Sequence, residues 1–156
     1  MKILLVADSH GNVDFIKENI DRIGKIDRAF HLGDYARDVE KIKEILDLPI
    51  DFVKGNNDLF DRYEEEKLIR LEGVTIFLTH GHKYGVYKGT DRLYYKGLEV
   101  GADLVLYGHT HLYNYDDRGG MKILNPGSIS LPRDGKKSMA ILDIEGKEIR
   151  VERIFD

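Results

Sequence analysis

The residues best able to do chemistry are six histidines, at His10, His31, His80, His82, His109 and His111. All but His31 fall in short polar strings: Asp8-Ser9-His10, Thr79-His80-Gly81-His82 and Gly108-His109-Thr110-His111. Gly33-Asp34 and Gly55-Asn56-Asn57-Asp58 are strings of the same kind. Carboxylate oxygen and imidazole nitrogen, with no thiolate anywhere in the chain, favour divalent metals of hard to borderline character. In Asp-x-His and His-x-His the two donors lie two residues apart, so on extended backbone both point to one side. The glycines before Asp34, Asn56 and His109 allow the chain to turn sharply there. Asp8, His10, Asp34, Asn56, His80, His109 and His111 are too many donors for one tetrahedral ion. They suit two ions that share one carboxylate. His31 lies inside an apolar segment and reads as a packed core histidine.

Each string follows a different apolar run, and the runs predict the scaffold. Lys2 to Ala7 reads as a strand covered on both faces. Asn12 is placed to cap a helix carrying Val13, Ile16, Ile20 and Ile23, which Gly24 ends. Ala29 to Leu32 is a second strand. Val39, Ile42, Ile45 and Leu46 mark a second helix, closed by Pro49, and Asp51 to Val53 a third strand. This β-α-β-α-β order predicts a parallel sheet. The second half predicts hairpins around Glu72-Gly73, Arg118-Gly119-Gly120 and Glu145-Gly146-Lys147. Between them lie a helix over Thr90 to Val100, ended by Gly101, and a strand over Asp103 to Tyr107. The sum is a mixed two-sheet sandwich with helices outside. Ligands of open α/β sheets bind beyond the carboxyl ends of the strands, where these strings fall.

Composition narrows the function classes. The 156 residues suit one domain, 1–156, with 42% hydrophobic and 33% charged residues. A net charge of −4 disfavours long nucleic acid as a partner. Zero cysteines exclude disulfides, thiolate zinc fingers and a cysteine nucleophile. No apolar run is long enough to span a membrane, and the opening apolar run is too short for a secretory leader. The expected location is the cytoplasm.

As an ordered set, Asp8-x-His10, Gly33-Asp34, Gly55-Asn56-x-Asp58, His80-Gly81-His82 and Gly108-His109-Thr110-His111 resemble the calcineurin-like metallophosphoesterase superfamily. The short length, Thr79-His80-Gly81-His82 and Asn125-Pro126-Gly127-Ser128 resemble its small YfcE-type phosphodiesterases. The resemblance implies a four-layer α/β/β/α sandwich of two mixed sheets. It implies a first metal site of Asp8, His10, Asp34 and His111. The second would use Asp34 as bridge with Asn56, His80 and His109. Manganese is the expected metal, with nickel, iron, zinc and magnesium as alternatives. The implied reaction is hydrolysis of a small phosphodiester by a hydroxide bridging two divalent metals, whose binding brings the pKa of water to roughly 7. Asp34, Asn56 and His82 are the expected catalytic residues, and Asn12, Asn57 and His82 the expected substrate contacts. The helix amino end near Asn12 is expected to add a favourable dipole for the anion.

Many superfamily members carry a histidine after the Gly-Asn pair, thought to protonate the leaving group; here Asn57 stands there, followed by Asp58. Little general-acid help is therefore expected. Tyr84, Tyr87, Tyr94 and Tyr95 are read as the packed face of the third helix rather than a lid or a stacking surface for a base, and Arg133 as part of a structural loop rather than a substrate contact. Two other functions fit the fold: a non-catalytic scaffold, as in the small retromer subunit, and a phosphomonoesterase. Relatives of this kind often form homo-oligomers, so a dimer or tetramer is expected.

Overall fold

The computed structural model describes residues 1–59 and 62–156. Sheet one contains β1 (Lys2–Val6), β2 (Arg28–His31), β3 (Ile50–Phe52), β9 (Ser138–Glu145) and β10 (Glu148–Phe155). Their order is β10-β9-β1-β2-β3, with β1, β2 and β3 parallel. Sheet two contains β4 (Glu66–Leu71), β5 (Val74–Thr79), β6 (Leu104–Leu106), β7 (Tyr113–Arg118) and β8 (Met121–Pro126). Here β5, β6 and β8 are parallel, and antiparallel β4 and β7 form the edges. Each sheet thus has three parallel strands whose carboxyl ends lie together.

The apolar runs explain the layering. Along β1, Ile3 and Leu5 face the other sheet, packing with Phe30, Leu32, Ile76, Leu78, Leu104 and Leu106. Leu4 and Val6 point the opposite way, onto Phe15, Ile16 and Ile42 of α1 (Asp14–Glu18) and α3 (Val39–Leu46). A strand buried on both faces must be apolar at every buried position, as β1 is from Ile3 to Val6. Beyond sheet two, Leu93 of α4 (Asp91–Val100) packs on Phe77, Val105 and Ile123. The result is the four-layer α/β/β/α sandwich. Removing a fully buried leucine from its centre, Leu78 or Leu104, would cost about 2–5 kcal/mol.

Local structure departs from the sequence pattern in three places. The helix expected from Asn12 to Gly24 is two short pieces, α1 and α2 (Ile20–Ile23), broken at Asn19. Asn19 donates its side-chain amide to the Phe15 carbonyl at 2.9 Å, a local bond that competes with helix propagation. Val13, not Asn12, precedes α1, and the Asn12 side chain accepts from the Asp14 amide at 2.9 Å. A five-residue α1 adds little dipole, so the helix end near Asn12 offers no such pull on an anion. Secondly, α4 starts at Asp91, and Tyr84 and Tyr87 lie before it in two single 3₁₀ turns joined at Gly85. Thirdly, two hairpin strands run further than expected, leaving two-residue turns at Gly119-Gly120 and Gly146-Lys147. The turn at Glu72-Gly73 is as expected, with φ of 52° and 81°.

Candidate metal centre

Loops after the parallel strands carry the candidate ligands. Asp8 and His10 follow β1, Asp34 follows β2 and Asn56 follows β3. His80 follows β5, and His109 and His111 follow β6. Asp8, His10, Asp34, His109 and His111 all have positive φ, from 45° to 69°. That conformation costs a residue with a Cβ roughly 1–2 kcal/mol, so the strain gathers where the donors are. The loops also pack backbone against backbone. A Cβ on Gly33 would lie 2.6 Å from the Gly55 nitrogen, and one on Gly55 would collide with the Asp34 carboxylate.

Two donor groups form. Asp8, His10, Asp34 and His111 each offer an atom within 4.8 Å of the others, and so do Asp34, His80 and His109. Asp34 belongs to both: Oδ2 is 3.6 Å from His10 Nε2, and Oδ1 is 3.3 Å from His80 Nε2. His111 Nε2 lies 3.4 Å from Asp8 Oδ1 and 3.3 Å from His10 Nε2. Asn56 Oδ1 lies 3.1 Å from His80 Nε2.

The protonation pattern fits a cation. His80 Nδ1 faces the Leu32 carbonyl and His111 Nδ1 the Leu131 carbonyl, each at 2.7 Å. A carbonyl only accepts, so each Nδ1 carries the proton and each Nε2 turns a lone pair to the centre. His80 Nε2 and Asn56 Oδ1 are then two acceptors facing each other, an arrangement a positive ion relieves. Burial lowers the pKa of His80 to about 4, and lowers those of His109 and His111 as well. All three rings are neutral at pH 7, as ligands must be. Burial, then the neighbouring Asp34 charge, raises Asp8 well above the usual carboxylate range. Burial also pushes Asp34 upwards, but His80 and the two Asn57 hydrogen bonds outweigh it and lower Asp34. Two adjacent carboxyls thus share their negative charge poorly without a counter-cation.

The other expected residues take different places. His82 belongs to neither donor group; its ring centroid is 5.5 Å from that of His80, and its buried Nδ1 has no partner among the described residues. Asn12 lines a cavity of about 560 Å³ with Lys17 and Lys41. Asn57 braces Asp34: its backbone amide donates to Oδ1 at 3.0 Å and its side-chain amide to Oδ2 at 2.6 Å. Asp58 accepts from the amides of Ala36 and Gly55 at 2.9 and 2.8 Å, so one oxygen ties its loop to the Asp34 loop and the other closes its own turn.

Three features have contacts that the sequence does not show. His31 is fully buried, but it is a link in a chain rather than packing alone. Its Nδ1 accepts from the Gly33 amide at 3.2 Å, and Nε2 meets Ser9 Oγ at 2.9 Å. Ser9 donates to Asp38 at 2.7 Å, and Asp38 also accepts from Gly11 and Lys41. This chain joins the Asp8–His10 loop to the Asp34 loop from beneath. The second is Tyr87, whose ring lies 4.9 Å from that of His109 and whose hydroxyl donates to the His109 carbonyl at 2.9 Å. The third is Arg133. Its backbone amide donates to the His111 carbonyl at 3.1 Å, and its guanidinium stacks 4.9 Å above the Tyr87 ring. Among the described residues, Tyr87 is the one of the four tyrosines in contact with a candidate ligand; Tyr84 binds Glu66, and Tyr94 packs beside Tyr95 under Arg118.

Comparison with known proteins agrees with this site. The chain is 34% identical to the probable metallophosphoesterase YsnB of Bacillus subtilis, over all of this chain and 91% of that one. Over 76 residues it is 40% identical to the phosphodiesterase YfcE of Escherichia coli, covering 48% of this chain and 38% of that protein. A crystal structure of a predicted phosphoesterase from Streptococcus pneumoniae superposes with a TM-score of 0.82 at 34% identity, covering 98% of this chain and 88% of that one. Vps29 of Entamoeba histolytica, solved with zinc, shares the fold at a TM-score of 0.81 and 22% identity, with 99% of each chain covered. The family model of the calcineurin-like phosphoesterase superfamily domain matches residues 1–147. The donor groups at the strand ends, the two-sheet frame and these likenesses place the chain in the calcineurin-like phosphoesterase superfamily.

Proposed function

We propose that the chain is a phosphodiesterase that holds two divalent cations and cleaves a small phosphodiester. Asp8, His10, Asp34 and His111 would hold the first ion, and Asp34, Asn56, His80 and His109 the second. The observation that carries this reading is the Asp34 carboxylate, whose two oxygens face imidazoles of different donor groups. The donor set of nitrogen and oxygen fits manganese, and also nickel, iron, zinc or magnesium. When bound, such a pair supplies a water acidified to neutral pKa and positive charge against the phosphoryl oxygens.

The chain's own residues do the rest. Leu32 and Leu131 fix the rings of His80 and His111 through their carbonyls. Asn57 keeps Asp34 from rotating. His82 stands beside His80 and His109, where it orients a phosphoryl oxygen or passes a proton to the leaving group. A groove of about 530 Å³ lined by Tyr87, Thr110, Leu112 and Tyr115 has room for the organic arm of an ester, and Tyr87 links it to His109. Among the described residues no helix is long and apolar enough to cross a membrane. The remaining expectations are carried as part of this reading: one domain over 1–156, a cytoplasmic location, and a dimer or tetramer testable by sedimentation.

The test is hydrolysis of bis(p-nitrophenyl) phosphate and p-nitrophenyl phosphate by protein loaded with each of the five metals. Faster cleavage of the diester is expected. Faster cleavage of the monoester would favour a phosphomonoesterase. Vps29 shares the fold, and metal uptake without hydrolysis of either ester would count for the scaffold reading.

A further inference from the structure

Three arginines stack on tyrosines: Arg118 on Tyr94 at 5.1 Å, Arg153 on Tyr113 at 4.4 Å and Arg133 on Tyr87 at 4.9 Å. The first two are neutralised. Arg118 binds Asp91 and Asp116 at 2.7 and 3.0 Å, and Arg153 binds Asp134 at 3.1 Å. Among the described residues Arg133 has no carboxylate partner. It is also the arginine whose tyrosine abuts a candidate ligand.

We propose that Arg133, seated on Tyr87, is a phosphate-binding residue that grips a non-bridging phosphoryl oxygen of the substrate at the mouth of the metal centre. This rests on the reading of the site as a phosphodiesterase centre. An unpaired guanidinium beside a site that gathers divalent cations repels them, and an anion lying between the two removes that penalty. The planar fork of arginine matches phosphate geometry and bonds to it in pairs. The stack on Tyr87 fixes the plane of the fork, so less side-chain freedom is lost on binding. Two tethers hold this arrangement to the ligands: the Arg133 amide on the His111 carbonyl, and the Tyr87 hydroxyl on the His109 carbonyl. The side chain is exposed, and no other charged group competes for it among the described residues.

The test uses the full chain loaded with manganese. Orthophosphate binding is measured by calorimetry, and kcat and KM with bis(p-nitrophenyl) phosphate, for wild type, Arg133→Ala, Arg133→Lys, Tyr87→Phe, Tyr87→Leu and, as a remote stacked arginine, Arg118→Ala. In Arg133→Ala orthophosphate affinity should fall and KM rise, each roughly ten- to a hundredfold, the range for a hydrogen bond to a charged group. Metal content should not change. Arg133→Lys keeps the charge without the fork and should lie between. Tyr87→Leu should follow Arg133→Ala in a weaker form, Tyr87→Phe, which keeps the ring but loses the hydroxyl tether, should fall between Tyr87→Leu and wild type, and Arg118→Ala should resemble wild type. Unchanged orthophosphate affinity in Arg133→Ala overturns the proposal, as does loss of metal in that variant. If wild type cleaves no ester with any metal while Arg133→Ala still loses orthophosphate, the catalytic reading fails and the phosphate site stands.

Discussion

His10 and His80 flank the same carboxylate and are held in opposite ways. His80 is wholly buried, and its Nδ1 is pinned by the Leu32 carbonyl. His10 keeps 15% of its side chain exposed and leans on two rings, His111 at 5.0 Å and Tyr35 at 5.3 Å, the latter itself 41% exposed. His80 is therefore set by the fold before any ion arrives, whereas His10, in the other half, leans on rings that solvent can reach. Pinned ligands pay little ordering entropy on binding, so the His80 half should bind first and release last.

The largest effect is expected where the halves join. Asp34→Asn should lose both ions by elemental analysis and drop diester hydrolysis to background, whereas Asn56→Ala should lose less metal. Retention of both ions in Asp34→Asn would break the shared-carboxylate assignment. Next comes the asymmetry itself. His10→Ala should retain about one ion of two, held in the His80 half, and His80→Ala should empty that half. Under a slowly added chelator, wild type should release its ions in two steps, with the step absent from His10→Ala coming first. A single step would mean that the halves are equivalent.

Beneath each half lies a buried neutral imidazole, His80 in one and His31 under the other. Burial depresses the pKa of His31 from 6.5 to about 4. Below pH 6.5 the unfolded chain takes up a proton there that the folded chain refuses, so stability falls with pH until about pH 4. For His31 alone this amounts to about 3 kcal/mol. Denaturant unfolding of the metal-free protein should show it: the stability difference between wild type and His31→Gln should shrink by about that much between pH 7 and pH 4. A constant difference would mean that His31 is solvated or charged in the fold.

The smallest effect concerns position 57. Histidine at this position needs an acid to orient it, and both oxygens of Asp58 are taken by backbone amides. Asn57→His also removes the amide that braces Asp34. The variant should gain nothing with poor leaving groups and lose metal slightly. In wild type, rate should fall steeply as leaving-group pKa rises; a flat series would show that another group, His82 first, donates the proton.

What was legible in the sequence is what depends on near neighbours. An apolar run ending in Asp-x-His or His-x-His marks both a buried strand and the loop beyond it, so the strand order and the clustering of polar strings could be read directly. Features built from distant residues could not. Ser9, His31 and Asp38 hydrogen-bond across separations of 22 and 29 residues, and nothing near His31 distinguishes it from core packing. Asn57 occupies a position that suggests substrate, and only the fold of the Asp34 loop shows that it holds a carboxylate. Asn19 breaks a helix whose apolar spacing runs through it without interruption. Arg133 and Tyr87 are 46 positions apart, and no periodicity joins them.

The pairing of β1 with β9 has a consequence for biosynthesis. Lys2 lies opposite Asp143, and the amino terminus donates to the Ile144 carbonyl at 2.7 Å. β1 is thus an interior strand whose neighbour on one side comes from far along the chain. Until β9 has been made and docks, β1 has an unpaired edge, open to other nascent chains. Asp8 and His10, at the end of that strand, sit in an incomplete sheet until then, so the first donor group is assembled only after β9 pairs.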